Sequence, residues 1–180
     1  TGLSSLAFLL ILTVTGIMLE LPNESDGALG AIGLPVDHSP HVHEHVSEVS
    51  ASSVIPPSMA IDTALVQLPG ARLAWIETPP ASGGTYRLRM QVPGDPSFRF
   101  PHSFVWVDGT TGDALAVQDA RIAASGSTIN NWVHPLHDGS AGGLAGRILA
   151  ALTGFVPLIL FMTGLMRWRS RRRRYSAVPA

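Results

Sequence analysis

The chain has no cysteine and no lysine. The first absence removes disulfides, thiolate metal sites and cysteine nucleophiles from consideration. The second makes arginine the only fixed side-chain cation. Charge is scarce altogether, at 14% of residues, whereas 46% are hydrophobic. No Ser, Asp and His spacing forces a catalytic triad, so no catalytic residue is assigned. A chain of 180 residues has room for one modest domain and a few accessory segments.

The net charge of -1 conceals a strong asymmetry. Arg167, Arg169, Arg171, Arg172, Arg173 and Arg174 form one cluster near the end, whereas the acids run from Glu20 to Asp138. The apolar residues are equally uneven. Leu3–Leu19, LSSLAFLLILTVTGIML, carries no charge and is halted by Glu20, Pro22, Asn23 and Glu24. Ile148–Met166, ILAALTGFVPLILFMTGLM, lies between Arg147 and Arg167. About 20 apolar residues cross a bilayer as a helix, so both stretches are expected to be membrane spans. A cleaved signal peptide fits the first less well, because no small-x-small site follows it. The chain opens on Thr1, already inside apolar sequence, and residues upstream are expected. Pro157 is expected to kink the second span, which neighbouring groups in a membrane can accommodate.

Basic segments flanking a span stay in the cytoplasm. The six clustered arginines therefore predict a cytoplasmic C-terminus, a cytoplasmic N-terminus, and an outward-facing middle, which in a Gram-negative bacterium means the periplasm. The same cluster next to a span is explained by topology and anionic lipid. Nucleic acid is not expected as a partner. Gly142, Gly146, Ala150 and Gly154 recur every four residues. On a helix they form one small-residue face of the kind along which membrane helices associate. Other integral membrane subunits are the expected partners.

Residues 23–57 are rich in Gly, Pro, Ser and Ala and read as a flexible linker. Inside it, DHSPHVHEH crowds His38, His41, His43 and His45 together. Imidazole binds copper, zinc and nickel, so these four are the candidate metal ligands, the alternative being a solvated, pH-responsive loop. From Ser58 the texture changes. Ile61, Ala64, Leu65 and Leu68 have helical spacing before Pro69-Gly70. RLAWIE, TYRLRMQV, HSFVWV and ALAVQ read as strands separated by turn sequences. Tyr86, Leu88, Met90 and Val92 should lie on one side, opposite Arg87, Arg89 and Gln91. The fold class is therefore α+β: two transmembrane helices flanking a domain in which one helix packs on an antiparallel sheet. Its small core makes support from its spans or a partner useful.

The helix, the strand pair and VWVDGTTGDAL resemble a PepSY domain. The stretch from Leu136-His137 through Gly139, Gly143, Gly146 and Arg147 to Thr163, Gly164, Trp168 and the arginines is similar to the signature of PepSY-associated transmembrane proteins. The resemblance implies a bacterial inner-membrane protein organised as span 1–22, His-rich linker 23–57, periplasmic PepSY-like domain 58–130, helix entry and span 131–168, and basic tail 169–180. Larger relatives include haem-containing reductases linked to ferric-siderophore uptake. The resemblance thus carries two functional expectations. One is a non-catalytic accessory subunit that stabilises a larger membrane complex. The other is an electron-transfer or metal-reducing subunit in iron or copper handling.

Haem in a bundle takes axial histidines, yet neither apolar span contains one. His137 and His134 lie just before the second span and are the candidate cofactor ligands. Haem b or a divalent metal (Cu, Zn or Fe) is the cofactor they would take. If Pro135 starts a helix, the two histidines project to similar faces. The competing reading is a polar helix entry, with Asp138 near the helix N-terminus.

Overall fold

The computed structural model describes residues 2–40, 42, 54–80 and 84–175, with backbone only for 2–5 and 171–175. The chain divides into two compact units. One comprises Thr1–Gly16 and Leu136–Ala180, the other Ile17–Pro135.

In the first unit the long helix is α5, Gly143–Tyr175, which runs through Pro157. The helical stretch Ser140–Ser170 has a mean hydropathy of 2.2 over its most apolar window, none of it buried against protein. Among the described residues it is the one single helix long and apolar enough to cross a membrane. Helix α1, Gly2–Glu20, qualifies as a second only when joined to the next helix across a sharp bend. Hydroxyls in these helices are satisfied locally. Thr13, Thr153 and Thr163 donate to the carbonyls of Leu9, Leu149 and Ile159, each at 2.8 Å. Such back-bonding lets threonine sit where no water is available. A 3-10 turn at Ser140–Gly142 precedes α5. There Gly139 and Gly146 meet backbone to backbone, and a Cβ on either would collide with the other. Gly139 is also left-handed, at φ 75°, which a residue with a side chain adopts only at a cost.

Sequence spacing assumes one continuous helix through the four small residues. The structure corrects this at Gly142, which lies in the turn before α5. Gly146, Ala150 and Gly154 remain on α5, with Gly146 packed on the Gly139 backbone and Gly154 facing open space. The first part of the basic tail is helical. Helix α5 continues to Tyr175, so Arg169 and the backbone of Arg171–Arg174 extend it.

In the second unit, the expected linker is partly ordered. Pro22–Ala31 forms helix α2, with Pro22 at its first turn, where a missing N–H costs nothing. Residues 34–37 then fasten to the start of helix α4, Ser125–His137. Gly126 N–H donates to Pro35 O at 2.8 Å, Asp37 N–H donates to Ser127 Oγ at 2.7 Å, and Ala124 N–H donates to the Asp37 carboxylate at 2.7 Å. The carboxylate thus holds the residue that leads into α4, while the Pro35 carbonyl takes the Gly126 N–H in the first turn. Sequence periodicity missed this because the fastening is made by backbone groups and one Asp.

Helix α3, Pro57–Gln67, is followed by strands β1 (Arg72–Glu77), β2 (Thr85–Gln91), β3 (Ser103–Asp108) and β4 (Ala114–Gln118), and packs on β2, β3 and β4. The strands form an antiparallel sheet in sequence order. This is the α+β unit expected from alternation. Tyr86, Leu88, Met90 and Val92 are buried with Val105 and Val107 against Ala60, Ala64 and Leu68. Ala64 and Leu68 of the expected helix stripe are buried, and Ala60 takes the place expected of Leu65. Ala60 is buried, Ile61 only partly, and Leu65 is 38% exposed. Small alanines at i and i+4 let α3 approach the sheet closely, which outweighs the larger area that leucine would bury.

Candidate functional site

The VWVDGTTGDAL signature builds a turn. One oxygen of the Asp108 carboxylate accepts the N–H groups of Thr110 (2.7 Å) and Thr111 (3.0 Å). Gly112 takes φ 82°, and its carbonyl accepts the Thr63 hydroxyl at 3.0 Å, tying the hairpin to α3. Tyr86 OH donates to Ile55 O at 2.6 Å, and Ile55 N–H donates to Gly109 O at 2.8 Å. These residues are engaged in holding the domain together.

The chemistry-bearing side chains lie elsewhere. In the first unit, His137 Nδ1 is 3.0 Å from Thr15 Oγ1, and Thr15 is 5% exposed. Thr15 Oγ1 also lies 2.7 Å from Ile11 O, within its own helix. The Thr15 contact engages Nδ1 of His137 and leaves Nε2 as the ring's other nitrogen. A ligating histidine is commonly oriented in this way by a hydrogen bond at its other nitrogen. The close approach needs Gly16, where a Cβ would sit 3.3 Å from the imidazole. His137 thus fits the donor role that haem or a divalent metal requires. It is the only histidine of its unit, so a second axial histidine has no source there.

Pro135 does not begin the helix. It lies near the C-terminal end of α4, which starts ten residues earlier. A run of Ser, Gly, Thr and Asn gives a weak periodic signal, and this hid the start. His134 and His137 have different partners. The His134 ring packs on Phe100, with centroids 4.8 Å apart.

In the second unit, His134 lines a cavity of about 290 Å³ with Met18, Leu19, Asp26, His102 and Asn130. Asn130 Nδ2 donates to Asp26 Oδ1 at 2.7 Å. Next to His102, the Asp95 side chain is buried. It accepts Ser97 N–H (2.9 Å) and His102 N–H (2.7 Å). Burial acts to raise this carboxyl, but the His102 ring and the two backbone N–H groups outweigh it and hold it below the usual carboxylate range. His102 Nδ1 is buried 3.8 Å from Asp95 Oδ1, just beyond hydrogen-bond reach. Sequence reasoning passed over Asp95 and His102. The run GDPS marked only a turn, and nothing in it announces a buried carboxylate.

Among the predicted metal ligands, His38 is described and lines a cleft with Asp37, Val117 and Gln118. His41, His43 and His45 lie outside the described residues. Among the described residues no three His, Cys, Asp or Glu side chains are grouped to hold a metal ion. Near Asp119 the local charge is satisfied. Its hydrogen-bonded ion pair with Arg121, at 2.6 Å, lowers the carboxyl and raises the guanidinium.

An uncovered apolar helix and a small α+β domain define a membrane protein that carries a compact folded module. The chain belongs to the family described as the PepSY-associated TM region, whose model matches residues 1–171. Among curated proteins none matches it.

Proposed function

We propose that this protein is a non-catalytic accessory subunit of the bacterial inner membrane. In this reading α1 and α5 both span the bilayer, the arginine-rich end is cytoplasmic, and the α+β module is periplasmic. The spans dock into a larger complex of integral subunits, and the module binds a partner outside the membrane. The observation that carries the reading is the bare surface of α5. Phe155, Leu158, Ile159 and Phe161 are all more than half exposed, and Gly154 and Gly164 face open space. Small residues on an otherwise apolar helix permit close approach of another helix. The arginines support the orientation through the excess of positive charge on cytoplasmic flanks. Extraction of native membranes into lipid discs, followed by mass measurement, tests this. The chain should emerge with other subunits. Recovery as a lone monomer defeats the reading.

A second reading is favoured by the His137–Thr15 bond. A histidine oriented through Nδ1, with Nε2 left over, is suited to bind haem b or a divalent metal (Cu, Zn or Fe), making the protein an electron-transfer component of iron or copper handling. The visible spectrum of purified protein decides it. A Soret band that shifts or vanishes in His137→Ala supports haem, and a featureless spectrum with no bound metal removes this reading.

A further inference from the structure

The two faces of the sheet differ in chemistry. One is the apolar core under α3. On the other, cross-strand register aligns Arg72 with Gln91, Trp75 with Arg89, Phe104 and Gln118, and Glu77 with Arg87, Trp106 and Ala116. Directly paired residues share a face, so three arginines and one glutamate meet there, an excess of two positive charges in a chain of net charge -1. Glu77 is already occupied, 3.3 Å from Arg87. Asp95 acts on Arg89 but is committed to the N–H groups of Ser97 and His102. Among the described residues no carboxylate reaches ion-pair distance of Arg72 or Arg89.

The guanidinium carbons of Arg87 and Arg89 lie 4.6 and 4.8 Å from the centre of one ring, Phe104. Aromatic contact offsets some of the cost of bringing two like charges together but supplies no counter-charge. The consequence is visible on Arg89, whose pKa is lowered first by desolvation and then by Arg87. Beside it Trp75 is 60% exposed. Arginine forks suit carboxylates, and exposed Trp and Arg together are the residue types that dominate binding energy in interfaces.

We infer that this sheet face, centred on Arg87, Arg89 and Trp75, docks an acidic segment of a partner protein. The inference rests on the accessory-subunit reading and names the chemistry of the partner's contact. A peptide is favoured over a small anion because the charged sites span two strands and are flanked by an exposed indole, which needs apolar contact as well as charge.

The test uses the full chain in discs of zwitterionic lipid. The probes are a neutral-dye-labelled peptide of alternating Glu and Val, its Lys-for-Glu counterpart, phosphatidylglycerol vesicles and inorganic phosphate. The Glu peptide should bind and the Lys peptide should not. Added salt should weaken binding, and R87E/R89E should weaken it by roughly tenfold or more. R87A/R89A, with an unfolding temperature close to that of the parent, should show an intermediate loss and guards against misfolding. Trp75→Ala should weaken binding with an unchanged salt slope. Equal binding by parent and R87E/R89E overturns the inference, as does binding confined to the vesicles or to phosphate. Subunits that accompany the parent from native membranes and accompany R87E/R89E equally well also overturn it, while leaving the accessory role intact. A parent that emerges alone defeats the accessory role instead, and the peptide arms still decide what the face binds.

Discussion

Leu88 and Leu158 are the same residue in opposite circumstances. Leu88 is fully buried between α3 and the sheet, whereas Leu158 on α5 is 55% exposed among other exposed apolar side chains. The α+β module satisfies its hydrophobic residues with its own chain. Helix α5 meets its backbone and hydroxyl requirements internally and leaves its side chains uncovered, which suits lipid as solvent. The contrast separates two kinds of apolar sequence. Strands alternate and find one partner face. The helix is apolar all round, and its partner is its surroundings.

The largest test of that contrast is Leu88→Ala. Removing a fully buried leucine side chain should cost about 2–5 kcal/mol, read as a lower denaturation midpoint of the protein in discs. Leu158→Ala should change it far less, because no cavity is created. Leu158→Arg acts on another quantity. A charge at the centre of a span costs about 2.5–3.5 kcal/mol on insertion scales, so the membrane-bound fraction should fall while the module still folds.

Asp95→Asn sharpens the view that the module is also held by a buried charge. Its two charge-assisted bonds to backbone N–H groups predict a loss of about 2 kcal/mol. The folded pKa is below the ordinary value of 3.8. The carboxylate's stabilisation is therefore complete above that value and is lost as pH falls through the lower, folded value. The parent should lose stability on acidification below about pH 4, and Asp95→Asn should lose less over the same window. Parallel pH curves for the two proteins would contradict this account.

Thr15→Val is isosteric and removes the hydrogen-bond partner of His137. About 1 kcal/mol of stability should go with it, and any bound haem should show a shifted absorption band. Glu77→Gln is the smallest change. The pair with Arg87 is exposed, and its loss should cost less than about 1 kcal/mol. A larger effect would mean that the Arg87–Arg89 repulsion is stronger than the Phe104 contacts imply.

Much of the module was legible in the sequence because period-two burial is a local signal. RLAWIE and ALAVQ became strands with the expected ends, and the buried set of β2 was named in advance. What stayed hidden depends on distant partners. Thr15 and His137 are 122 residues apart, and neither has a local pattern that announces the other. Asp37 reaches α4 across 87 residues and turns part of an expected linker into ordered chain. The start of α4 was missed because its polar residues speak weakly for a helix, while Pro135 offered a misleading start signal. The arginine-bearing sheet face was half visible. Alternation separated Arg87 and Arg89 from the core, but only cross-strand register brought Arg72, Trp75 and Phe104 beside them.

The absence of cysteine makes the most direct measurement clean. Single cysteines at Val117, Leu158 and Ala177 can be exposed to a membrane-impermeant maleimide, first on spheroplasts and then on opened membranes. The account predicts that V117C labels at once, A177C labels only after opening, and L158C stays protected in both. Rapid labelling of L158C on spheroplasts would contradict it.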